Sequence, residues 1–229
     1  MINNLICANS KAVSFIEHGM YRDAVRVLSS AVKQCASTLF DPRDGPLSPA
    51  CTSSTGLYVD ASVSTSSKAS HFTSSQQTDM FSHPFVMIHN ELQDCTAART
   101  SRELIARCAA VCFYNMGLAC HLEWVQRHRN DSRVLSQAHC FYRKAYQSLQ
   151  LCHLPSTDSY LLLMMAICTN LIDLNLELGQ LATVQTLKEN LTSVTSYADK
   201  QRYSGNASFR YLYQGTLLFR FDLLAARAA

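Results

Sequence analysis

Four residues near the middle of the chain are of the types that hold a transition metal: Cys108, Cys112, Cys120 and His121. Cys108 and Cys112 sit one helical turn apart and share a helix face. Cys120 and His121 lie roughly two turns further on, so a straight helix cannot aim all four at one ion. Their spacing follows an apolar stripe instead, where a thiol behaves as a small hydrophobe, and the expectation is core cysteine with no metal. A sulfur nucleophile would need a base, and Cys140 with His121 or His139 is the available pair. No Gly-rich oxyanion loop or activating motif accompanies any Cys. Asp173 and Glu177 share a helix face as solvated acids do. Neither GxGxxG nor GxxxxGK[ST] occurs. The expected protein is therefore not an enzyme and carries no cofactor.

Composition narrows the class further. Of 229 residues, 48% are hydrophobic and only 7 are Gly and 5 Pro, too few breakers for a turn-dense sandwich or barrel. The fold class expected is all-α. The net charge of +3 is mild, and the one basic cluster, Arg127, His128, Arg129 and Arg133, is interrupted by Asp131. A nucleic-acid partner is not expected from such a pattern. The 10 cysteines include no CxxC, and the opening Met1-Ile-Asn-Asn-Leu-Ile-Cys has no basic segment followed by an apolar run. A reducing, intracellular compartment (cytoplasmic or nuclear) is the expectation, and the sequons at Asn130, Asn190 and Asn206 are read as chance matches. The longest uninterrupted apolar run, Leu161 to Cys168, is too short to span a bilayer, so no membrane association is expected.

The elements follow from periodicity. Leu5, Ala8, Ala12, Phe15 and Ile16 form one helical stripe, Gly19 supplies a break, and Tyr21, Ala24, Val25, Leu28, Ala31, Val32 and Cys35 form a second. So short a connection makes residues 1–40 an antiparallel hairpin. Residues 41–80 are read as a Ser/Thr-rich disordered insertion, with Ser48 before Pro49 as its most conspicuous phosphorylation candidate. Phe85 to Ile88 is β-prone after Pro84, and an extended partner is sought at Thr216 to Leu224, giving a small two-stranded patch near the C-terminus. A terminal helix over 208–226 is the competing reading. Within 81–198 four more helices are expected: Ser101 to Val125, Ser132 (as N-cap) to Leu151, Ser159 to Leu178, and Gln180 to Tyr197. Residues 199–229 form a C-terminal cap.

Three helical hairpins in series resemble degenerate tetratricopeptide (TPR) motifs, and the phrases YNMGLACHL and TNLIDLNLELGQL are similar to TPR-like proteins of diatoms. The first hairpin carries Ala12 at the helix crossing, Gly19 and Tyr21 at the turn, and Ala24 and Ala31 on the second helix. The second carries Gly117 at the crossing with Ala138, Tyr142 and Ala145; the third has Gly179 at its turn but Val184 and Leu191 where the motif prefers Ala. The resemblance implies a short solenoid whose first helices line an inner groove that takes a segment of a protein partner. The groove positions it implies are Asn9, Val13, Ile16 and Glu17; Tyr114, Leu118 and His121; and Thr169, Asp173, Leu176 and Glu177. Asn115 and Asn170 stand where some relatives use Asn to hold a ligand backbone. Val13, Ala166 and Asn170 replace the residues of the clamp for acidic chaperone tails, so tight binding of such tails is not expected. With three hairpins only, self-association as a homo-oligomer through an exposed end is the alternative.

Overall fold

The computed structural model describes residues 2–39, 57–64, 81–91, 101–127, 130–150 and 158–200. Six helices and two strands occupy these residues: α1 (Ile2–Glu17), α2 (Tyr21–Leu39), β1 (Leu57–Val63), β2 (Phe85–Glu91), α3 (Ser101–Gln126), α4 (Ser132–Gln150), α5 (Asp158–Glu177) and α6 (Leu181–Lys200). The protein is all-α in class, with a two-stranded sheet laid on the helices.

Local chemistry sets the helix ends. Gly19 adopts φ 74° and Gly179 φ 70°, a left-handed conformation that costs glycine little. Each lets the next amide reach back over the helix end: Met20 N–H to Phe15 C=O (2.8 Å), and Gln180 N–H to Asn175 C=O (2.8 Å). These paired caps turn α1 into α2 and α5 into α6 by the same geometry. The cap of α4 is Asp131 rather than the expected Ser132. Its carboxylate accepts from the amides of Arg133 (3.0 Å) and Val134 (3.4 Å), the orphan donors of the first turn.

Packing pairs α1 with α2, α3 with α4 and α5 with α6, while α2 lies against α3 and α4 against α5. Helices α2 and α4 have one apolar stripe, whereas α3 and α5 carry buried residues around most of their circumference. Two stretches, Glu103–Gln126 and Tyr160–Glu177, are long and apolar enough to cross a membrane by length and composition, although no uninterrupted apolar run in them is that long. In each, 78% of the apolar window is buried inside the fold, as the core helices of a helical assembly require. The first hairpin is tied to α3 by polar contacts at its rim: Gln126 donates to Tyr21 Oη (2.8 Å), and Arg22 Nε to Glu123 Oε1 (2.9 Å).

Among the described residues the strand partner of β2 is β1, a stretch that the sequence reading leaves outside any strand. β2 pairs antiparallel with β1, in register from Leu57↔Glu91 to Val63↔Phe85. Residues 57–63 of the stretch read as a disordered insertion thus form a strand; Ser48, the segment 216–224 and most of 199–229 lie outside the described residues. The ribbon lies across α1, α3 and α5: β2 touches α1 and α3, and β1 touches α3 and α5.

Within the second hairpin α3 and α4 cross at Gly117, and a Cβ there would lie 2.8 Å from the Tyr142 ring, whose side chain is fully buried. Neither partner has room to yield. Gly117→Ala is expected to lower the unfolding free energy by about 1–3 kcal/mol through overpacking. Urea denaturation of the variant tests this, and a midpoint equal to that of wild type would refute the close crossing.

Candidate functional site

Among the described residues, the Cys and His side chains singled out in the sequence are core groups or lie apart from one another. Cys108, Cys112 and Cys120 are core residues, and burial pushes the thiols of Cys108 and Cys120 up to about 12 and that of Cys112 well above its ordinary value. They are held protonated, the opposite of what a nucleophile or metal ligand needs. Cys140 opens to solvent on α4, whereas His121 is fully buried, with Nε2 3.2 Å from Asp173 Oδ2 and its ring against Trp124 and Tyr142. His139 and Cys140 are helix neighbours, which point apart. Among the described residues, no three His, Cys, Asp or Glu side chains come together as metal ligands. A cavity of about 700 Å³ lies between α4, the end of α5 and α6, with His139, Arg143, Asn175 and Asn190 in its wall. There Asn175 donates to Leu171 C=O (2.6 Å) and Asn190 bridges to Tyr146 Oη (2.9 Å).

The groove positions have a different arrangement. An extended segment, Phe81 to Phe85, crosses α5, α3 and α1 in turn, and each helix supplies side-chain groups to its main chain. On α5, Asn170 accepts from Phe81 N–H (2.8 Å) and donates to Phe81 C=O (3.1 Å). On α3, Tyr114 Oη lies within hydrogen-bond reach of the carbonyls of Phe81 (3.2 Å) and His83 (3.1 Å). Further along α3, Asn115 accepts from Phe85 N–H (3.0 Å) and donates to Phe85 C=O (2.7 Å). On α1, Asn9 donates to the same carbonyl (3.0 Å), and its own Oδ1 accepts from Asn115 (2.7 Å).

These contacts fall on residues 81, 83 and 85, whose main-chain groups repeat along one side of an extended chain. Asn9, Tyr114, Asn115 and Asn170 are all fully buried, so each main-chain bond also satisfies a buried side-chain amide or hydroxyl. The Phe85 ring is buried and meets Tyr114 edge-on, with centroids 5.1 Å apart. Tyr142 Oη accepts from Asn170 (2.9 Å), fixing the amide's orientation from α4. At the end of β1, Ser64 donates its hydroxyl to Glu17 on α1 and its N–H to Pro84 C=O (2.9 Å).

Of the positions implied by the resemblance, Asn9, Tyr114, Asn115 and Asn170 are brought together and spent on the chain's own segment. Val13, Ile16, Leu118, His121 and Thr169 are buried. Asp173 is paired with His121 as described, Leu176 is half-buried, and Glu177 lies at the exposed end of α5. The Asn positions were legible in the sequence, whereas their occupant, the Phe-Ser-His-Pro-Phe stretch in front of β2, was not.

Two outcomes are expected. Asn115→Ala leaves Phe85 N–H and Asn9 Oδ1 without their partner in a fully buried site, a cost of about 2–3 kcal/mol. Hydrogen exchange at the Phe85 amide should rise sharply in this variant, and protection equal to wild type would show that Asn115 does not hold the segment. His83 titrates below its usual range because burial disfavours the charged ring, partly offset by a bond to the Ser64 backbone, so the folded state takes up its proton later than the unfolded chain. Stability is then full above about pH 6.5 and declines as pH falls from there toward the lowered value. Urea midpoints between about pH 7.5 and 5 should fall with acid, and less so in His83→Gln; an equal fall in both would place the sensitivity elsewhere. No protein-family model, curated protein or solved structure matches the chain.

Proposed function

We propose that this chain is a non-enzymatic interaction module of the TPR-like kind, whose α1–α3–α5 face holds an extended segment of a protein by its main chain. The observation that carries the reading is the set of bonds from Asn9, Tyr114, Asn115 and Asn170 to Phe81, His83 and Phe85. Side-chain amides and a phenol from the alternate helices α1, α3 and α5, matched to the main chain of residues 81, 83 and 85, form a receptor for extended backbone, and here the occupant is supplied in cis. Gly117 beneath Tyr142 and the paired Gly19 and Gly179 caps also fit the TPR-like unit. Neutral amides on that face, and core thiols elsewhere on α3 that burial keeps protonated, favour binding over catalysis.

In such a module the cis segment and a partner compete for the same groups, so the bound fraction depends on how often the cis segment leaves. Affinity capture from native lysate should compare wild type, Phe81→Ala and Phe81→Ala/Asn170→Ala, with circular dichroism confirming that each folds. Phe81 is half-buried, and its loss loosens the occupant while leaving the floor intact. A protein enriched by Phe81→Ala and lost in the double variant is the expected result. Identical captures from all three would remove this face as the binding site.

A further inference from the structure

The occupant of the α1–α3–α5 face describes its own replacement. All seven bonds from the floor go to main-chain atoms, so the floor selects extended conformation at three alternate residues and does not read side-chain polarity. Selectivity then rests on the side chains that the occupant packs away. Phe85 is fully buried against Tyr114, and Phe81 lies 6.1 Å from the Phe85 ring, so two aromatics are four residues apart. Pro84 between them is buried. It has no amide hydrogen to satisfy and holds the residue before it extended, which lowers the entropy lost on docking. The floor groups are neutral amides and a phenol that burial keeps protonated, so nothing in them favours a charged ligand main chain or an acidic tail.

Taking the preceding reading of the face as its basis, we propose that the site accepts in trans an extended, uncharged segment of another protein with the pattern aromatic–X–X–Pro–aromatic. Residues 81–85 are then the cis competitor that sets its apparent affinity. A tethered competitor acts at an effective concentration in the roughly millimolar range, so the intact chain binds such a segment weakly. Anything that loosens the tether raises the affinity by the factor by which it raises the open fraction.

The test uses full-length protein and a fluorescently labelled peptide copying residues 79–89, with one control peptide carrying Ala in place of both Phe and another carrying Ala in place of Pro. Fluorescence anisotropy should give a Kd for Phe81→Ala about tenfold tighter than for wild type. Both control peptides should bind more weakly, and adding Tyr114→Phe to Phe81→Ala, which removes only the hydroxyl, should weaken binding of the parent peptide. Equal affinity for the parent and control peptides, or no gain in a folded Phe81→Ala protein, overturns the proposal. So does a peptide-free dimer of Phe81→Ala in sedimentation, which would give the site to the segment of a second copy. If peptide binding fails while Phe81→Ala still captures a protein that is lost on adding Asn170→Ala, the pattern is wrong and the binding face stands. If both fail, the face itself is not a receptor.

Discussion

Asn115 meets the hardest requirement in this fold. An extended segment laid across helices has amides and carbonyls with no strand beside them on the helix side, and in a dry interior each unpaired group costs about as much as a lost hydrogen bond. One primary amide carries a donor and an acceptor at the spacing of a residue's own N–H and C=O, so Asn115 answers both groups of Phe85 at once. Asn170 does the same for Phe81. Take these amides away and main-chain groups of Phe81 and Phe85 are left unpaired against the helices, and the packing of the Phe85 ring must bear that cost.

That requirement orders the rest of the assembly. α1, α3 and α5 must stand near enough for a five-residue segment to reach all three, and the hairpins hold them there. Gly117 lets α4 close on α3 until Tyr142 lies against the backbone, and from that position the Tyr142 hydroxyl steers Asn170 on α5. The crossing of one hairpin thus orients a binding group on the next. At the other end Ser64 ties the ribbon to Glu17 and Pro84, so the segment is held by α1 from both sides.

Much of this was legible in the residues. The helical stripes of α1, α2 and α4, the glycine breaks at 19 and 179 and the β-prone Phe85 to Ile88 stretch all stand in the structure, because each rests on local periodicity or on a backbone conformation that only glycine takes readily. The cysteines along α3 are core, as their spacing required. β1 was missed for a physical reason: Val59, Ala61 and Val63 do alternate with polar residues, but the alternation is short and lies within a stretch that is nearly half Ser and Thr, where composition outweighs periodicity. A strand of this kind gains its stability from the partner it meets.

What the sequence determined by itself is therefore the set of elements and the polar positions on them: which stretches are helical, where they turn, and that Asn9, Asn115 and Asn170 interrupt otherwise apolar faces. Only the tertiary structure decided what those amides hold. An amide in an apolar stripe announces that it needs a partner, yet the partner is a main chain 30 residues away for Asn115, 76 for Asn9 and 89 for Asn170. Main-chain groups are the same at every residue, so no local pattern distinguishes Phe81 and Phe85 from any other extended residue. Their selection comes from packing, through the Phe85 ring against Tyr114 and the reach of the ribbon across three helices.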